Sequence, residues 1–162
     1  MGCDIHSFAE RCNKETGKWQ IVTDVVTFDN RDYSVFAFLA GVRNYDHCEP
    51  ISEPKGLPDD VCDEIQENFE SWQDDAHSAS FLTVKELLDF DYEKQFWNRR
   101  ISRTTHYPEG GSYTDGAAIA EEGEGEILSY RQNLGGYFFE ILKELSELGD
   151  TRDTRVVFWF DN

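Results

Sequence analysis

The chain has 162 residues, among them 12 Phe, 7 Tyr and 4 Trp, which fits one domain with enough apolar material for a sizeable core,. Its 33 acidic residues against 15 basic give a formal net charge of -18, which repels phosphate backbones and disfavours direct nucleic-acid binding; such a surface keeps a protein soluble, attracts basic partners or imitates the charge of DNA. Cys3, Cys12, Cys48 and Cys62 have no CxxC spacing and no apolar signal core before them, no apolar run reaches the ~20 residues that cross a bilayer, and His6 stands where an N-myristoylation signal wants Ser or Thr,: the expectation is reduced thiols in a cytoplasm and no membrane attachment.

Residues 3–12 and 18–26 read as a hairpin about the turn residues Asn13 to Gly17,. Strand alternation puts Asp4, His6 and Glu10 on one face and Cys3, Ile5 and Ala9 on the other,. Asp29 to Asp32 offers a cap for Tyr33 to Ala40, a helix apolar nearly all round, hence buried, and stopped by Gly41,. From Val42 to Pro58 the prolines at 50, 54 and 58 and the absence of periodicity predict a long irregular loop,. Asp59 and Asp60 can start a helix with Val61, Ile65, Phe69 and Trp72 on its packed stripe and Asp63, Glu64, Glu67 and Glu70 in solvent,.

Thr83 to Glu86 matches a capping box, predicting a helix over about 84–90 and leaving His77 and Ser78 in the loop that approaches it,. Residues 91–107 mix aromatics with Lys94, Arg99, Arg100 and Arg103; residues 108–126, rich in glycine and glutamate, predict an exposed, mobile excursion without regular structure,. A helix follows from about Leu134 to Leu148, with Tyr137, Ile141, Leu145 and Leu148 as its stripe and Gly149 at its end,. Arg155 to Asn162 is apolar on both faces, the pattern of a central strand covered on both sides,. The whole reads as a single α+β domain, its sheet built from the N-terminal hairpin and the C-terminal strand, with helices packed on it and the 42–58 loop near its functional edge.

The Met1-Gly2-Cys3-Asp4-Ile5-His6 start, Phe36 to Asn44, Pro50 to Pro58, His77 to Glu86 and the closing Val157 to Asp161 together resemble a family of uncharacterised proteins of bacteriophages and bacterial genomes that open with MGCDIH. The resemblance spans the chain and is weakest over 108–126. It implies a phage or prophage accessory protein acting in a host cytoplasm, and carries no established activity with it. Many members read His-Ser-His-Ser-Trp-Leu-Thr where this chain has His77-Ser78-Ala79-Ser80-Phe81-Leu82-Thr83, so a second histidine is missing at position 79.

Two constellations bear chemistry. Asp4, His6, His77 and Asp161 offer the mixed O/N donors that hold Zn or Mn, and with an open position such an ion supports hydrolysis or phosphodiester cleavage by bound water; the ordinary account is local pairing of Asp4 and a hydrogen-bonded, half-buried His6. Arg31, Tyr33, Arg43, Asn44 and His47 flank the buried helix and suit a small polar, nucleotide-like ligand, with planar forks for phosphate and a ring on which a base stacks; here salt bridging to the many carboxylates is the ordinary account. Arg99, Arg100 and Arg103 among Tyr92, Phe96 and Trp97 form a further local anion patch, again open to internal neutralisation,. There is no nucleophile elbow, Walker loop, dinucleotide fingerprint or zinc-protease motif,. The leading expectation is a phage accessory protein that binds the nucleotide-like ligand and blunts a host defence signal; the alternatives are a metal-dependent hydrolase and an acidic DNA-mimic decoy for a host protein. A homo-oligomer is open under each reading.

Overall fold

In the computed structural model, which describes residues 1–162, the hairpin forms as expected: β1 (Asp4–Cys12) and β2 (Trp19–Val22) pair antiparallel with Cys12 opposite Trp19. The second strand stops short of residue 26, and just beyond it Thr27 Oγ1 donates to the Ser7 carbonyl at 2.9 Å. Helix α1 (Tyr33–Ala40) is capped by Asp32, whose carboxylate accepts from the Ser34 and Val35 amides, and it buries every residue from Val35 to Ala40 before Gly41 ends it. Residues 42–58 form neither helix nor strand, in agreement with their prolines.

Helix α2 (Asp63–Ser71) begins a turn later than the sequence pattern implies, since the Asp60 side chain turns away to accept from Trp19 Nε1 and Arg155. After a 3-10 turn at Gln73–Asp75 comes β3 (His77–Thr83), where the sequence implied only a loop. Its alternation is masked by a bulge between His77 and Ser80, at which Ser78 takes a φ of 53°,. The Gly56 amide donates to the Ala79 carbonyl (2.8 Å) and the Lys55 amide to Ser80 Oγ (3.1 Å), so the loop lies along this strand. The Thr83–Glu86 capping box is present and opens α3 (Val84–Asp89).

Residues 108–126 are also corrected. β4 (Gln95–Asn98) and β5 (Arg100–His106) run on from one another, and β6 (Ser112–Ile119) and β7 (Glu126–Ser129) pair back on them in reverse order. The Ala120 amide donates to the Arg99 carbonyl at 2.8 Å, which joins the two short sheets into one exposed ribbon. β5 and its turn thus extend on the order of 20 Å at ~3.3 Å per residue. Gly125, with φ 76°, is obligatory where this ribbon folds on itself: a Cβ there would lie 2.5 Å from the Asn98 carbonyl oxygen,.

Helix α4 (Tyr130–Ser146) starts four residues before the expected Leu134, with a second capping box at Ser129 and Gln132. Gly135, at φ 77° and ψ 169°, breaks it into two segments,. The break rotates the stripe: Leu134, Phe138, Ile141, Leu142 and Leu145 are buried, whereas Tyr137 is 50 % exposed, so Phe138 takes the place the sequence reading assigned to Tyr137.

The last strand, β8 (Thr154–Asp161), lies inside the antiparallel sheet β2-β1-β8-β3, as its two apolar faces require,. Val156, Phe158 and Phe160 face the larger core with Ile5, Phe36, Phe38, Leu82 and Phe138. Val157 and Trp159 face a smaller one beneath α2, with Ile65, Phe8, Phe69 and Trp72. Each of these aromatic side chains of β8 is fully buried, worth ~1.5–3 kcal/mol apiece,. This is the α+β domain expected from the sequence. No helix is long and apolar enough to cross a membrane.

Candidate functional site

Strand pairing sets the fate of the four proposed metal ligands. Asp4 stands directly opposite Asp161, with His6 two pairs along on the same face, opposite Trp159. Two facing carboxylates repel, and each has a separate hydrogen-bond partner. Arg31 grips Asp4 with its Nε on Oδ1 and its Nη2 on Oδ2, both at 2.7 Å, and these bonds hold the Asp4 carboxyl below its ordinary pKa. His6 Nε2 lies 2.7 Å from Asp161 Oδ2, with the Trp72 ring 4.2 Å away between centroids.

His77 faces the other way. It pairs opposite Phe160, stacks on that ring at 6.1 Å between centroids, and contacts Ser78 Oγ at 3.1 Å through Nδ1. Because Phe160 and Asp161 project to opposite faces of β8, His77 and the His6–Asp161 pair are separated by the sheet. The ligand set Asp4, His6, His77, Asp161 therefore does not assemble, and no group of three or more His, Cys, Asp or Glu side chains is arranged to hold a metal ion. The ordinary account of His6, a hydrogen-bonded and half-buried histidine, describes it.

The arginine set fares better. Tyr33 accepts from the Cys3 amide through its hydroxyl at 3.2 Å, which seats α1 against the start of β1. Its ring is 6.0 Å from that of Tyr45, a residue the sequence reading did not single out. Arg43, held at φ 50°, donates to Tyr45 Oη (3.4 Å), the Met1 carbonyl (3.3 Å) and Asn162 Oδ1 (3.2 Å). The Arg100 guanidinium sits 5.8 Å from the centre of the Tyr45 ring and donates to the Gly116 carbonyl at 3.1 Å. Neither Arg43 nor Arg100 forms a salt bridge, in a chain with 33 carboxylates to choose from.

Asn30, Arg31, Asp32, Tyr33 and Arg100 line an open recess of about 660 Å³ between the start of α1 and the ribbon. A second recess of about 450 Å³ shares Arg100 and runs between Ser34, Asp46, Asn98, Gly125 and Asn133. Both volumes lie in the range of small-molecule sites. The first recess offers the Arg31 and Arg100 guanidinium groups for an anion and the Tyr33 ring for stacking, and the second offers amides for polar edges; Tyr45 touches Tyr33 and Arg100, and Arg43 touches Tyr45, but neither belongs to either lining,.

Two residues of the expected set do other work. Asn44 bonds both ways with the Cys48 backbone, its Nδ2 donating to the carbonyl (2.7 Å) and its Oδ1 accepting from the amide (3.1 Å), which pins the loop. His47 is exposed at φ 60° and has no side-chain hydrogen bond. Arg100 escaped emphasis because its neighbours Arg99 and Arg103 read with it as one charge run; only the ribbon, which sends Arg103 to Glu124 at 2.7 Å, separates them. Thiol chemistry has no support: the four cysteines form no disulfide, burial raises the Cys3 pKa, and it pushes Cys48 up to about 12,. No family model, no curated protein and no solved structure matches the chain.

Proposed function

We propose that this protein binds a small anionic, nucleotide-like molecule in the recess between α1 and the ribbon, without chemical turnover. The observation that carries the reading is Arg100, which lines the recess beside the Tyr45 ring and forms no salt bridge, with Arg43 on the hydroxyl of the same tyrosine and likewise unpaired, in a chain of net charge -18. Arg31 and Tyr33 complete the set: the Arg31–Asp4 pair is half exposed and screened by water, so it yields to a phosphate,. The resemblance to phage and bacterial proteins with an MGCDIH start supplies the biological setting, an accessory protein that withdraws a nucleotide signal of the host.

The test is calorimetric titration of the purified protein with a panel of nucleoside 5′-monophosphates and diphosphates, followed by recovery of the ligand after heating. Saturable binding is expected, with the nucleotide recovered unaltered. Arg43→Ala and Arg100→Ala are each expected to weaken it by about tenfold or more, the worth of a charge-assisted hydrogen bond, with melting unchanged. A panel that gives no heat, or variants that bind as wild type does, would remove this reading; altered nucleotide after recovery would replace it with an enzyme.

A further inference from the structure

The second recess holds a feature that phosphate binding does not use. Asp46 is 3 % exposed, yet its carboxylate forms no salt bridge; its one side-chain hydrogen bond comes from Asn133 Nδ2 to Oδ2 at 2.9 Å. A carboxylate withdrawn from water needs more donors than one amide supplies. It lines a recess of about 450 Å³, so those donors can come from a ligand.

The neighbouring groups fix which ligand edge fits. The Arg100 backbone amide donates to Asn98 Oδ1 at 2.9 Å, which orients the Asn98 amide and turns its Nδ2 to Asn133 Oδ1 at 2.8 Å. That in turn directs Asn133 Nδ2 to Asp46. Each amide nitrogen has two hydrogens and spends one in this chain, so beside the exposed Glu126 carboxylate the recess presents the free Asp46 oxygen as a buried acceptor next to two spare N–H donors,. Ile101 and Leu128 give it apolar walls against which a flat ring can lie,.

We infer that this recess selects a guanine base, with Asp46 Oδ1 accepting from its N1–H and 2-amino groups and the spare amide hydrogens of Asn98 and Asn133 donating to its 6-oxo group. Adenine offers the reverse, an acceptor at N1 and a donor at the 6-position, and leaves the carboxylate unmet. Hypoxanthine keeps the N1–H and loses the 2-amino group. The inference rests on the nucleotide-binding reading, with Arg100 common to the base recess and the phosphate recess.

Titration of the wild-type protein with GMP, IMP and AMP, which share one phosphate, separates the two. GMP is expected to bind at least about tenfold tighter than IMP and about a hundredfold tighter than AMP, since each lost hydrogen bond to a charged group weakens binding by that order. Asp46→Asn, checked for an unchanged circular dichroism spectrum, is expected to abolish the preference for GMP while AMP binding stays. Equal affinity for the three nucleotides overturns the guanine assignment and leaves the anion site standing; a folded Asp46→Asn protein that still prefers GMP does the same. No binding of any of them overturns both.

Discussion

Arg155 and Arg100 each lie against aromatic rings, but the molecule uses them in opposite ways. Arg155 stacks on Trp19 at 3.8 Å, donates to Glu10 Oε1 at 2.8 Å and to Asp60 Oδ1 at 2.9 Å, and is 5 % exposed. Glu10 is fully buried and also accepts from the Cys62 amide at 2.8 Å. There charge meets charge and the start of α2 is tied to the sheet, although Arg155 Nη2 is left buried without a hydrogen-bond partner. Arg100 beside Tyr45 has a carbonyl for a partner and a recess in front of it. A guanidinium whose charge is answered within the protein contributes to the fold, while one whose charge is left unanswered is available to something else.

The contrast is most severely tested at Arg155. Replacing it by Met strands Glu10 in the smaller core, and urea unfolding is expected to show a loss of ~3–5 kcal/mol; a loss under ~1 kcal/mol would mean that the pair is not sealed. A comparable loss of ~3–5 kcal/mol is expected for Phe138→Ala, against ~0.5 kcal/mol or less for Tyr137→Ala, because the break at Gly135 puts only Phe138 in the core,. Arg100→Ala should behave as the inverse of Arg155→Met, changing stability by ~0.5 kcal/mol or less while nucleotide affinity falls about tenfold. The smallest effect at neutral pH comes from Cys48 and Cys62, whose thiols burial pushes up from 9.0 to about 12. The folded protein then holds protons that the unfolded chain releases, so their contribution is fully present below pH 9 and is lost as the pH rises toward 12,. Unfolding curves at pH 8 and about pH 10.5 check that sign, and alkylation of the native protein should reach half-buried Cys12 before the others,.

Much of this architecture is legible from residues alone, wherever one local rule acts undisturbed. The run Val156 to Phe160, apolar on both faces, predicts an interior strand; Thr83 and Glu86 predict a helix start; Tyr33 to Ala40, apolar all round, predicts a buried helix, and the structure has all three. Reading fails where two rules compete. Ser78 at a bulge hides the alternation of β3, Gly135 shifts the face of α4, and the glycines and glutamates of 108–126 conceal the β5–β6 hairpin and the long-range pairing of β7 with β4. The site is half legible for the same reason. Arg31, Tyr33 and Arg43 flank one helix and were within reach of inspection, whereas Tyr45 and Arg100 meet only because the ribbon folds back past the 42–58 loop. The failure of the Asp4, His6, His77, Asp161 set depends on the bulge in β3 just after His77, which no spacing reveals.

The loop laid along β3 has a bearing on self-association. An outer strand normally offers a row of unsatisfied amides and carbonyls to any passing chain, and this sheet has two such borders. At one, β2 is only four residues long. At the other, Lys55 and Gly56 already occupy Ser80 and Ala79, and the irregular turn at Ser78 spoils the spacing that an incoming strand would need. Growth by strand addition is thus discouraged at the short β2 border and blocked at β3, where a second copy would have to displace residues 55 and 56 before it could extend the sheet,.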